Sequence, residues 1–154
     1  MNKTKLMFLI CVFPLIGADE PAGYKYWSAA ELKAFSTSLK PKMNAQKFVG
    51  QRLTDYGNHY TMIAHREGNG EAELHETESD LFVVTSGTAT LTVGGTLQGG
   101  KTTAPNEQRG PSIEGGKRQK LTAGDIVHIP PKTPHQLILN PGAEFTYFVM
   151  KVKE

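Results

Sequence analysis

From Lys47 onward, polar and apolar residues alternate in short runs that end at glycines, and this limits the chain to an all-β fold. Side chains of a strand alternate between its two faces, so Ala89-Thr-Leu-Thr-Val93 reads as a strand with one covered face. Residues 81–84, Leu-Phe-Val-Val, are continuously apolar, as in a strand covered on both faces. The same reading predicts strands over 48–53, 59–65, 72–76, 81–85, 89–93, 126–129, 136–139 and 145–152. Ser86-Gly87, Gly94-Gly95, Ala123-Gly124 and Pro141-Gly142 separate them, with Gly87 and Gly124 read as turn glycines. Short strands at such spacing predict an antiparallel sandwich or barrel.

The first part of the chain has a different character. Lys3 and Lys5 precede an apolar run over 6–16, then Gly17-Ala18 and the acidic pair Asp19-Glu20, the layout of a secretory signal peptide over 1–18. An uncleaved anchor is the alternative, because Ile16 replaces a small residue three positions before the cleavage point. Residues 19–46 form an N-terminal extension with one short helix. Ser28-Ala-Ala-Glu31 has the spacing of a capping box, and Leu32, Phe35 and Leu39 share one face up to Pro41. That helix is expected outside the barrel, which takes up 47–154. Cleavage after Ala18 removes two lysines and no acid, so a formal charge of +2 falls to zero. A neutral domain has no global attraction to nucleic acid or, once the signal is gone, to an anionic membrane. Cys11 is the only cysteine, so the exported domain folds without a disulfide.

Two clusters carry metal-capable side chains. Glu73-Leu-His75 puts a carboxylate and an imidazole on one strand face, with Asp80 and Gly87 following, and Gly124-Asp125 leads to Pro130 and His135 about fifty residues on. The spacing Glu73-x-His75-x4-Asp80-x6-Gly87 resembles the first signature of the cupin superfamily, and Gly124-x5-Pro130-x4-His135 resembles the second. His75 and His135 stand at histidine positions of that pattern. Glu73 replaces a histidine, Asp80 replaces a glutamate, and Lys132 stands where glycine is common. The resemblance spans 58–152 and implies one antiparallel double-stranded β-helix, the jelly-roll cupin barrel, with no internal repeat. It also implies a divalent ion held by Glu73, His75, Asp80 and His135, and an oxygen-rich set of this kind suits Mn, Fe(II), Zn or Ni. The bland alternative is an internal Glu73–His75 hydrogen bond with Asp80 as a turn residue too short to reach the centre. An unperturbed imidazole, at about 6.5, would lose a metal near pH 5.

Other features carry less. Gly95-Thr-Leu-Gln-Gly-Gly100-Lys101-Thr102 matches a phosphate-loop pattern, but Pro105 and the glycines that follow allow no helix to open there, so nucleotide chemistry is not expected. The 94–118 connection is long for a hairpin; its Lys101, Arg109, Lys117 and Arg118 offer cations at the barrel mouth or are simply solvated. His128 and Tyr147 are candidate substrate-binding residues lining the cavity. The functional expectation is an exported cupin binding a metal and a small organic molecule, as a dioxygenase, lyase or isomerase, or else a metal-free ligand-binding module. Homodimerisation through 48–53 or the C-terminal strand fits either.

Overall fold

The segments 81–85 and 89–93 belong to one strand, and that strand organises the molecule. The computed structural model describes residues 19–154, so the segment read as a signal peptide, with Cys11, lies outside the described residues. After the helix α1 (Ala29–Leu39) and a single 3₁₀ turn (Lys40–Lys42) come β1 (Phe48–Asp55), β2 (His59–Arg66), β3 (Ala72–His75) and β4 (Glu78–Val93). A hairpin region follows with β5 (Thr96–Gln98), β6 (Lys101–Ala104), β7 (Glu107–Gly110) and β8 (Ser112–Glu114). Then come β9 (Lys117–Thr122), β10 (Ile126–Ile129), β11 (His135–Ile138) and β12 (Phe145–Lys153).

The first half of β4 lies between β12 and β10, in a sheet continued by β2 and β1. Its second half lies between β9 and β11, in a sheet continued by β3, β7 and β6. Gly87 marks the crossing, not a turn as expected from the sequence. Its φ is +81°, the register with β12 shifts beside it, and a Cβ there would stand 1.8 Å from the Glu144 carbonyl oxygen. Gly124, by contrast, is a turn glycine with φ +95° and open space around it. All strand pairs are antiparallel, as the all-β jelly-roll expectation requires.

The period-two rule places the core. Phe82, Val84, Ala89, Leu91, Tyr147, Val149 and Ala64 are buried between the two sheets. Ile63, Val83 and Phe148 alternate with them and so face outward, where α1 packs against β2 and β4 and Trp27 meets Phe148 with ring centroids 5.3 Å apart. Ser28 and Glu31 make the expected capping box. Leu39 and Ile63, both fully buried, seal this second layer.

The 94–118 connection is ordered into the pairs β5–β8 and β6–β7, and its phosphate-loop match falls on two strands, where the amides face a ladder and no helix follows. β12 is paired on both edges, by β2 and β4, so the C-terminal strand offers no free edge for a dimer; β1 keeps one. No helix among the described residues is long and apolar enough to cross a membrane.

Candidate metal centre

Cross-strand register assembles the site. His135 on β11 stands opposite Glu73 on β3, and β7 on the other side of β3 sets Arg109 opposite Glu73 and Glu107 opposite His75. On the facing sheet, Lys151 on β12 stands opposite Asp80 on β4. Asp80 has the parity of Phe82 and Val84, so it points inward, and only 2 % of it is exposed. The concern that an aspartate would stop short is answered by distance: its Oδ2 lies 3.5 Å from His75 Nε2 and 3.3 Å from His135 Nε2. Glu73 Oε2 lies 3.6 and 3.9 Å from the same two nitrogens.

These separations bear on whether an ion fits. Donors held at 2.0–2.2 Å from one ion stand about 3–3.5 Å apart in tetrahedral or octahedral geometry. The observed contacts run from 3.3 to 3.9 Å. Glu73, His75 and His135 each offer a donor atom within 4.8 Å of the others', and Asp80 joins through both imidazoles. His135 gives the clearest sign. Its Nδ1–H donates to the Thr133 carbonyl at 3.1 Å, which leaves the Nε2 lone pair facing the carboxylates, and that buried Nε2 has no hydrogen-bond partner. The donor set fits a divalent ion.

The site also contains its own cations. Lys151 Nζ lies 2.6 Å from Asp80 Oδ1 and 2.8 Å from His75 Nε2. Two nitrogens that close share one hydrogen, so imidazole and amine together hold one positive charge against Asp80. Arg109 donates from Nη1 to Glu73 at 2.7 Å and from Nε to Glu107 at 2.6 Å. Burial opposes ionisation of Glu73, but His75 and Arg109 outweigh it and hold the carboxyl at about 2. Burial likewise opposes charge on His75, yet hydrogen bonding to Asp80 and Glu73 carries it up to about 9. Asp80 is buried as well, and His75 together with Lys151 keeps it well below the usual carboxylate range.

The sequence pattern leads to these four inward residues but not to Lys151 or Glu107. Lys151 is in phase with Val149 and Tyr147, both core residues, and that parity is the signal that would have found it. Arg109, one of the four cations of the 94–118 connection, turns inward, while Lys101, Lys117 and Arg118 are exposed. Lys132 has φ +59°, which explains why glycine suits that position, and its N–H donates to the His75 carbonyl at 2.7 Å. Tyr147 is buried and lines the space beside Glu73 and His135, as expected. His128 does not. It pairs with outward-facing Leu81, is exposed, and leaves the inward position on β10 to Val127. A second grouping, His65 with Glu67 and Glu144, lies on the outer face under the 3₁₀ turn, where Lys40 bridges the two carboxylates.

No protein-family model and no curated protein matches the sequence. The likeness is to solved structures, and it is one of fold. An uncharacterized protein with a double-stranded β-helix domain from Klebsiella pneumoniae aligns over 84 % of this chain and 90 % of its own, at 14 % identity and a TM-score of 0.55. An oxalate oxidase aligns over 71 % of this chain and 53 % of its own, at 13 % identity and TM-score 0.52. A DMSP lyase from Ruegeria pomeroyi aligns over 70 % and 48 %, at 16 % identity and TM-score 0.50. With β4 shared between two antiparallel sheets, the chain has the double-stranded β-helix fold of these neighbours, and Glu73, His75, Asp80 and His135 point into it.

Proposed function

We propose that the protein is exported and that its barrel holds one divalent transition metal, Mn, Fe, Zn or Ni, on Glu73, His75 and His135 with Asp80 as the fourth ligand. The observation that carries this is His135 Nε2, buried, unpartnered and facing two carboxylates. When bound, such an ion supplies Lewis acidity toward an oxygen of a small organic substrate. The residues around it do the rest. Thr133 fixes the His135 tautomer, Arg109 orients Glu73, and Lys151, paired with Asp80, holds a proton beside the centre. Neighbours of this fold include an oxidase and a lyase, so a metal-dependent oxygenase, lyase or isomerase is the reaction class proposed.

One observation favours a second reading. Lys151 already neutralises Asp80, and a barrel with that internal ion pair works as an ion-free binding pocket. Elemental analysis of protein purified without tag or chelator separates the two. Close to one equivalent of metal in the wild type, lost in His75→Ala and in His135→Ala, is the expected result. Metal retained in both variants, or a metal-free wild type that still binds a small ligand, overturns the metal centre.

A further inference from the structure

Arg66 ends β2 with its side chain inside the barrel, in phase with core residue Ala64, and it is only 5 % exposed. Its guanidinium lies over the Phe48 ring, 4.5 Å from the centroid, and Nη2 donates weakly to the Tyr147 hydroxyl at 3.5 Å. Its Nε has no hydrogen-bond partner. The other inward cations are committed, Arg109 to Glu73 and Glu107 and Lys151 to Asp80, but Arg66 pairs with no carboxylate among the described residues. A guanidinium keeps its charge at any physiological pH. Leaving one buried without a counter-charge costs several kcal/mol, and a cation–π contact returns about 0.5–2 kcal/mol of that. Glu71 and Glu73 line the same space but make no ion pair with Arg66, so the guanidinium is free to take an anion from outside.

The surrounding space says where it would sit. Arg66, Arg109, Glu73, Asn69 and Phe48, with the mostly exposed Glu71 at the edge, line a cavity of about 420 Å³, within the size range of small-molecule sites. A smaller adjoining space is lined by Arg66, Tyr147, Glu73 and His135, so a ligand on Arg66 is next to the candidate ligands. Gly70 packs against the guanidinium: a Cβ there would stand 2.8 Å from Arg66 Nη1 and push that end of the side chain aside.

We propose that Arg66 anchors the carboxylate of a small organic acid whose other end faces Glu73 and His135. The assignment of the second end rests on the metal-centre reading; the anchor itself does not. One unpaired cation matches one monoanionic group, and a planar carboxylate accepts from Nε and a terminal nitrogen side by side. A phosphate dianion would leave charge unmatched in a buried pocket.

The test is calorimetric titration of the full mature protein, with metal content measured on the same samples. The probes are the acid and amide pairs glycolate with glycolamide and benzoate with benzamide, and inorganic phosphate. At least one acid should bind about tenfold or more tighter than its amide, the size of a charged hydrogen bond. Arg66→Gln should remove that preference while leaving metal content unchanged, Arg66→Lys should keep part of it, and Gly70→Ala should weaken it by displacing the guanidinium. Acids and amides binding alike, or neither binding, overturns the proposal, as does an acid preference that survives in Arg66→Gln. Phosphate binding tighter than every acid overturns the carboxylate assignment. A metal-free wild type whose acid preference vanishes in Arg66→Gln removes the metal centre and leaves the anchor standing.

Discussion

Asp80, Lys151 and His75 form one electrostatic unit inside the barrel, with Lys151 2.6 Å from Asp80 and 2.8 Å from His75. An ion can ligate His75 only after the proton there has left. Because Asp80 and Glu73 raise His75 to about 9 against the effect of burial, metal and proton compete throughout the neutral range. Metal affinity should therefore tighten about tenfold per pH unit from pH 7 to 9 and level off above, and it should weaken as pH falls. Equilibrium metal titration at graded pH measures this; affinity that is flat above pH 7 would show that Asp80 and Glu73 do not hold a proton on His75 through the neutral range. The unperturbed value that sequence alone supplies puts the loss too low, since it knows nothing of the two carboxylates beside the ring. Lys151→Met tests the other half. It removes the ammonium beside Asp80, 2 % exposed, and leaves the His75 imidazolium as its remaining cation, so the metal-free protein should lose about 1.5–3 kcal/mol and melt earlier. Added metal should then raise Tm more in the variant than in the wild type, because the ion takes over the neutralisation; an equal rise would mean that Lys151 and the ion do not share a site.

At the scale of elements, β4 connects fold to site. Its first half carries Asp80 and its second half pairs with β11, which carries His135, so the crossing at Gly87 sets the distance between the two. Gly87→Ala combines a strained φ with a Cβ 1.8 Å from a carbonyl oxygen and should cost more than about 3 kcal/mol in denaturant unfolding. Gly142→Ala has a similar φ, +77°, but open space, and should cost only about 1–2 kcal/mol. Equal costs would contradict the close-approach role of Gly87. The alternation at 89–93 was legible because one face of that stretch is buried. The crossing was not, because a Ser-Gly pair signals a turn as readily as a bulge, and only the opposing Glu144 carbonyl decides. β5 to β9 were missed for a related reason: their residues are mostly exposed and polar, so they carry no hydrophobic period.

At the scale of the whole molecule, the jelly roll and the inward set Glu73, His75, Asp80 and His135 were legible, since alternation and spacing act within a strand or between neighbours. What pairs across the barrel was not. Lys151 meets Asp80, and Arg109 meets Glu73, through registers that no local pattern encodes. His128 failed because a histidine in a strand does not announce which face it occupies, and its pairing with outward Leu81 decides that. Export stays a proposal built on the 1–18 pattern, and it predicts a mature N-terminus near Asp19. Edman sequencing of the native protein checks it, and an intact Met1 in a soluble cytoplasmic fraction would exclude it. The central claim is a metal between the two sheets, and anomalous X-ray scattering at the metal's absorption edge tests it most directly. Crystals grown with manganese or zinc should show one strong anomalous peak within bonding distance of Glu73, His75 and His135, with Lys151 moved off His75; a map with no peak there, or with its only peak beside His65, Glu67 and Glu144, would contradict the account.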